Sequence, residues 1–313
     1  MSSVLFDHPG PKARARYRIV AIVSVVLALA LLAWMGMRFA DKGNFTAAKW
    51  KPFTTSAVWV NYILPGLGNT LKAAAISMVL AALFGLVFGM GRLSQVPAIR
   101  WVSTVVVELF RAVPVLVMML FTYTLGVFTL KLGSQAPLVA VVTGLTLYNG
   151  AVVAELIRSG VGSLPKGQTE AGLAMGLSHP QTLRLILLPQ AITAMLPALV
   201  GQLVVVLKDT AIGFVAATYF EMLRASDQIG SAYSNPVPAY MVIAVIYILV
   251  NYSVTSLAAY LERRSREKGR PTIAVGAAGP GHVPPVDVEP IAEAQAQVDD
   301  EVLRERYHQP PQH

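Results

Sequence analysis

Residues 169–189 read TEAGLAMGLSHPQTLRLILLP and lie between hydrophobic segments long enough to cross a membrane. The stretch is apolar enough for a core helix, yet a glycine breaks it halfway and a proline closes it. Pro165 suits the first turn of a helix, with Ser163 as the cap before it. Ala171, Ala174 and Met175 then recur at helical spacing. Gly176 fits the left-handed position that ends such a helix. Ser178 and Gln181 make an S-x-x-Q capping box, and Pro180 falls in the first turn, where its missing N–H costs nothing. A second short helix is expected to run to Leu188, with Pro189 marking the turn back into the membrane. The pattern predicts a helix–turn–helix lying across one membrane face, with Glu170 and Arg184 available to a partner.

Composition fixes the solvent around this loop. Hydrophobic residues make up 55% of the 313 and only 13% are charged, with a mean hydropathy of +0.57. Soluble domains carry roughly 25% charged residues, so the chain is integral to a membrane. The net charge of +8 is weak evidence for nucleic-acid binding, because membrane proteins place Lys and Arg beside their spans on the cytoplasmic side. The absence of cysteine excludes disulfides, thiolate metal sites and thiol catalysis.

Stretches of about 20 apolar residues give six expected spans. They are Ile19 to Met37, Gly66 to Gly91, one within Trp101 to Val127 whose apolar core begins near Pro114, Pro137 to Ile157, Pro189 to Leu207, and Ala239 to Leu261. The segment AIGFVAATYF at 211–220 is too short to cross and reads as a re-entrant or interfacial piece. With the amino terminus inside, fifteen Lys and Arg residues flank the spans on the cytoplasmic side, against eight on the other. This bias predicts both termini in the cytoplasm and puts the 169–189 loop there too. The first apolar run is longer than a signal-peptide core of roughly 7–15 residues and lacks a small-x-small cleavage site, so an uncleaved anchor is expected. From Ser265 to His313 the chain is rich in Gly, Pro and acidic residues, and a disordered tail is expected. Ile291, Ala294, Val298 and Val302 make one weak apolar stripe there.

Read as E-A-G-x3-G-x9-I-x-L-P, from Glu170, Ala171 and Gly172 through Gly176 and Ile186 to Leu188 and Pro189, the loop resembles the EAA loop of ABC importer permeases. AELIRSGVGSLPKGQ (154–168), LGNTLKAAAISMVLAALFGLVFGMGRLS (67–94), ELFRAVPVLV (108–117) and LLPQAITAMLPALVGQLVVVLKDTAI (187–212) are similar to polar amino-acid permeases in the same order. The resemblance extends over about residues 66–263 and is nearest to glutamate/aspartate-type permeases. It implies an all-α integral membrane, methionine-permease-like (ABC transmembrane type-1) helical bundle with both termini cytoplasmic. The permease domain would be 66–263, with residues 1–65 contributing an extra helix and 264–313 the tail.

The resemblance further implies a translocation subunit, not an enzyme. Its partners would be a second permease subunit, homologous or identical, an ABC ATPase subunit dimer, and an extracytoplasmic solute-binding protein that delivers glutamate, aspartate or a glutamine-like amino acid. The EAA loop would seat in the ATPase and transmit its closure to the spans. No cofactor is expected, because ATP would be held by the partner; the chain has no G-x-x-x-x-G-K-[ST] phosphate loop. Two departures stand out. Gly172 replaces the family's alanine and should loosen the helix by about 0.5–1 kcal/mol. Met118 stands where relatives often have glutamine.

An ion-coupled secondary transporter is the competing reading, but such carriers keep ionisable groups deep in their spans, and these spans are nearly free of charge. Glu155 and Arg158, like Glu108 and Arg111, read as i, i+3 interfacial pairs rather than a proton relay. Thr143, Thr146 and Gly150 share a face of the fourth span, with Asn149 beside them. Small and hydroxylated residues pack membrane helices closely. The alternative is a polar lining for the substrate, with Asn149 the costliest group to leave unpaired. Lys208 and Asp209 form an interfacial pair or an outer gate. Of five histidines only His179 lies outside the terminal segments, and none shows metal spacing.

Overall fold

The computed structural model describes residues 10–268, and among these every regular element is helical. Helix α1 is Pro11–Asp41 and α2 is Leu64–Arg92. They are followed by α3 (Pro97–Ala112), α4 (Val115–Thr124) and α5 (Ala136–Gly162). Across the loop lie α6 (Lys166–Ala174) and α7 (His179–Thr182). The chain closes with α8 (Leu188–Asp209), α9 (Ile212–Ala217), α10 (Met222–Ala232) and α11 (Pro236–Lys268). Residues 269–313 lie outside the described residues, so the tail expected from Ser265 is described only where α11 runs on to Lys268.

The bundle is organised around α5, the most buried span, whose longest interface is with α2. Small residues make that interface possible. The buried stripe of α2 is Gly66, Thr70, Ala73, Ala74, Ser77, Ala81, Gly85 and Gly89, one helical face throughout. A Cβ on Gly85 would meet Val153 at 2.4 Å, and one on Gly150 would meet Phe84 at 2.8 Å. The two backbones approach only because those side chains are missing, as membrane helices commonly require. Met119, Leu145, Val206 and Leu207 complete the central core.

The third expected span is present but bent: α3 and α4 meet at a 95° angle, and the apolar half begins at Val115, beside Pro114. Proline disfavours the helical region for the residue before it, and Val113 is extended at φ −82°, ψ 127° ahead of Pro114. Helix α3 is amphipathic, burying Ser103 and Val107 while Trp101, Val102, Val105 and Leu109 face outward. Among the described residues five helices are therefore long and apolar enough to cross a membrane, or up to six if the bent pair counts as one span. Helix α1 buries none of its apolar window against the rest.

Residues 211–220 pack one side into the bundle and leave Val215 exposed on the other. Gly213, Ala216 and Ala217 of α9 are buried, and Thr218 ends the helix at φ +52°. Asn69 donates to the Phe220 carbonyl at 2.9 Å, Tyr219 donates to the Asn69 carbonyl at 3.0 Å, and the Met222 amide donates to Thr70 Oγ1 at 3.2 Å. These bonds fasten the segment to the start of α2. Glu221, fully buried, caps α10 by accepting from the Leu223 and Arg224 amides at 2.7 and 2.8 Å and from the Tyr247 hydroxyl at 2.8 Å. Burial pushes its carboxyl upward, opposed by those three donors, and burial raises the Tyr219 phenol to about 12.

Candidate functional site

The 163–189 loop is ordered by local chemistry and then by one tight contact. Ser163 does not cap α6. It ends α5, its hydroxyl donating to the Gly160 carbonyl at 2.8 Å, and Pro165 is the residue before α6. Gly176 takes φ +80° with open space around it, a conformation that a side chain would strain. Beyond it the capping box forms, the Ser178 amide donating to Gln181 Oε1 at 2.8 Å.

The second helix does not stop at Leu188. From His179 to Asp209 the chain is one continuous helix, widened into a π turn at Leu183–Leu187 where the Leu188 amide reaches the Leu183 carbonyl. Pro189 lies in the first turn of α8. The wide turn makes room for a residue that cannot donate and whose ring crowds the preceding turn. The proline bends nothing back; it is absorbed.

Gly172 is where the two halves of the loop meet. It is buried, and a Cβ there would meet Thr182 Cγ2 at 2.6 Å and Ile186 Cδ1 at 3.2 Å. The glycine that cost helix propensity on paper is a packing requirement. Gln190 donates to Gln168 at 3.2 Å and closes the base of the loop. On the outer side Glu170, Ala171, Leu173, Met175, Arg184 and Leu185 are exposed, Met175 by 71%. Ile186 and Leu188 are half-buried.

Thr143, Thr146 and Asn149 are distributed differently from a common lining. Asn149 is fully buried; it donates to the Leu145 carbonyl at 2.9 Å and accepts from Gln202 of α8 at 2.5 Å. Thr143 and Thr146 are half-buried, and the Thr146 hydroxyl is buried without a protein partner. Gln202 was missed in sequence because pairing it to residue 149 needs the helix packing, although an amide inside an apolar run is itself a signal. A separate cleft of about 680 Å³ lies between α8 and α11, lined by Val204, Lys208, Ile243, Tyr247 and Asn251 among others. The Asn251 side-chain oxygen is buried there without a partner.

At the loop end of the bundle the two expected i, i+3 pairs merge. Arg92, from the end of α2, lies 3.0 Å from Glu108 and 2.8 Å from Glu155. Arg111 approaches Glu108 at 3.4 Å and Glu155 at 3.7 Å, and Arg158 pairs with Glu155. Sequence spacing finds each pair on one helix; Arg92 joins them across three. Among the described residues no group of His, Cys, Asp or Glu could hold a metal.

Comparison with known proteins agrees with this architecture. Residues 81–267 match the family described as "Binding-protein-dependent transport system inner membrane component". The chain is 48% identical over 228 residues to the glutamate transport system permease protein GluD of Corynebacterium glutamicum, covering 72% of this chain and 83% of that one. It is 36% identical to the probable glutamine ABC transporter permease protein GlnP of Bacillus subtilis, over 65% of this chain and 93% of the relative. A crystal structure of an amino acid ABC transporter superposes with a TM-score of 0.60 at 30% identity, covering 66% of this chain and 95% of that one. An inward-facing methionine ABC transporter at 20% identity and a TM-score of 0.54 shares the fold. The chain belongs to the inner-membrane permease components of binding-protein-dependent ABC transport systems.

Proposed function

We propose that this permease imports an acidic amino acid or its amide, glutamate, aspartate or glutamine, and that residues 163–189 are its seat for the ATPase. The observation that carries the coupling role is the exposed face of the loop. Glu170, Leu173, Met175 and Leu185 are presented to solvent on a base held rigid by the Gly172–Thr182 contact. Exposed apolar side chains beside charges mark a surface that another protein covers. The positive-inside bias orients this face to the cytoplasm, where an ATPase pair would bind. ATP would stay with that partner, and the chain needs no cofactor of its own.

A second permease subunit and an extracytoplasmic binding protein complete the machine, as the family's name implies for the latter. The glutamate and glutamine assignments of the two relatives support the substrate class. For the route we favour the α8–α11 cleft, because Lys208 puts a cation on its wall beside the polar side chains of Tyr247 and Asn251. The Thr143–Thr146–Asn149 face then contributes by holding α5 to α8 through Gln202. The test is uptake by the complex of this chain with its ATPase, a second permease subunit and a binding protein, in proteoliposomes. ATP-dependent accumulation of labelled glutamate, aspartate or glutamine supports the reading. Uptake driven by an ion gradient without an ATPase overturns it.

A further inference from the structure

The ionic cluster borders a cavity of about 340 Å³, lined by Glu108, Arg111, Ala112, Tyr148 and Val152. This is the lower end of the roughly 300–1,000 Å³ range of small-ligand clefts. Arg92, Arg111 and Arg158 face two carboxylates, Glu108 and Glu155, so one positive charge is left over. The charges are not equally committed. Arg92 is enclosed, its side chain 8% exposed, between Glu108 and Glu155, and Arg158 holds Glu155 from the other side. Arg111 has only the two long contacts and is 38% exposed, while Glu108 is 52% exposed. Arg111 is therefore the guanidinium open to a ligand, since the Arg92 Nε that also lacks a hydrogen-bond partner is buried, and Glu108 keeps acceptor capacity one helical turn away.

A planar guanidinium binds a carboxylate through two parallel hydrogen bonds. A carboxylate beside it accepts from an ammonium, and the walls of Ala112 and Val152 suit a short aliphatic chain. A purely structural ion pair explains neither the cavity beside it nor the surplus arginine. We propose that this cavity is an inner binding site for a free acidic α-amino acid, whose net negative charge cancels the surplus. The site lies at the loop end, so it would be filled from the cytoplasm by imported amino acid, and its occupancy would slow further import. The proposal rests on the amino-acid importer reading above and adds a product site to it.

Two arms test it on the complete complex in proteoliposomes. The first measures equilibrium binding of labelled L-glutamate to the complex without its binding protein. The second measures initial uptake with the lumen, on the ATPase side, loaded with L-glutamate, N-acetyl-L-glutamate or sulfate. Expected is inhibition by L-glutamate, little by the acetylated compound that lacks the ammonium, and none by sulfate. Arg111→Gln should weaken lumenal binding about tenfold, the worth of one charged hydrogen bond. Val152→Phe leaves every ion pair in place and narrows the cavity, so it should lose binding as fully. Arg111→Lys, which keeps the charge without the fork, should fall between.

Glutamate binding unchanged in both Arg111→Gln and Val152→Phe would overturn the site. Equal inhibition by the acetylated compound would overturn recognition of the ammonium. Absence of ATP-dependent uptake with an empty lumen would instead count against the importer reading, and the binding arm would still decide the site.

Discussion

At the scale of single residues, Gly172 and Asn149 decide most. Glycine at 172 has a tertiary reason, because a methyl there would sit 2.6 Å from Thr182 Cγ2. Gly172→Ala should therefore push α6 off α7 and weaken both ATPase co-purification and stimulated hydrolysis. Thr182→Ala removes the methyl and also the hydroxyl, which would lie 2.9 Å away, and should restore both; failure of that rescue would mean the contact does not position the loop. Asn149→Leu leaves Gln202 without its partner in a buried contact, so a loss of about 1–3 kcal/mol is expected in thermal unfolding of the complex. Adding Gln202→Leu should recover stability. Uptake that stays lost in the stable double variant would return Asn149 to the substrate route. The capping box and Gly176 were legible in the sequence, because caps and left-handed turns are local chemistry. Gly172–Thr182 and Asn149–Gln202 were not, because each pairs residues whose proximity only the packed helices create.

At the scale of elements, apolar runs located every long helix, while direction escaped them. Hydropathy does not register a 95° turn, although Val113–Pro114 carried its physical signal and α3 carried charges at Arg100, Glu108 and Arg111. Likewise a proline at 189 suggests a corner, since a sequence does not show that a π turn at Leu183–Leu187 can absorb it. The 211–220 piece was rightly too short to cross, but its burial depends on hydrogen bonds to α2 about 150 residues earlier. Glu221 is the capping group that fixes the next helix. Glu221→Ala strips two backbone amides and the Tyr247 hydroxyl of their acceptor, so a destabilisation of about 2 kcal/mol or more is expected from the lost cap and unpaired donors. Unfolding at wild-type temperature would show that water serves those donors equally well.

At the scale of the molecule, a glycine-lined pair of helices holds the core, and the loop and the ionic cluster share one end of it. Helix α1 buries nothing of its apolar window in that core, so removing residues 1–41 should leave the remaining chain able to assemble and transport. Loss of assembly would assign α1 a partner. The central claim is that the exposed loop face meets the ATPase. Because the chain contains no cysteine, a single cysteine reports its position cleanly. Met175→Cys, on the outer face of the loop, carrying a short photo-crosslinker in the assembled, ATP-hydrolysing complex, should trap the ATPase subunit. Phe121→Cys, on the outer apolar flank of α4 and 69% exposed in wild type, should not. A complex that transports normally yet gives no ATPase adduct from Met175→Cys would contradict the account.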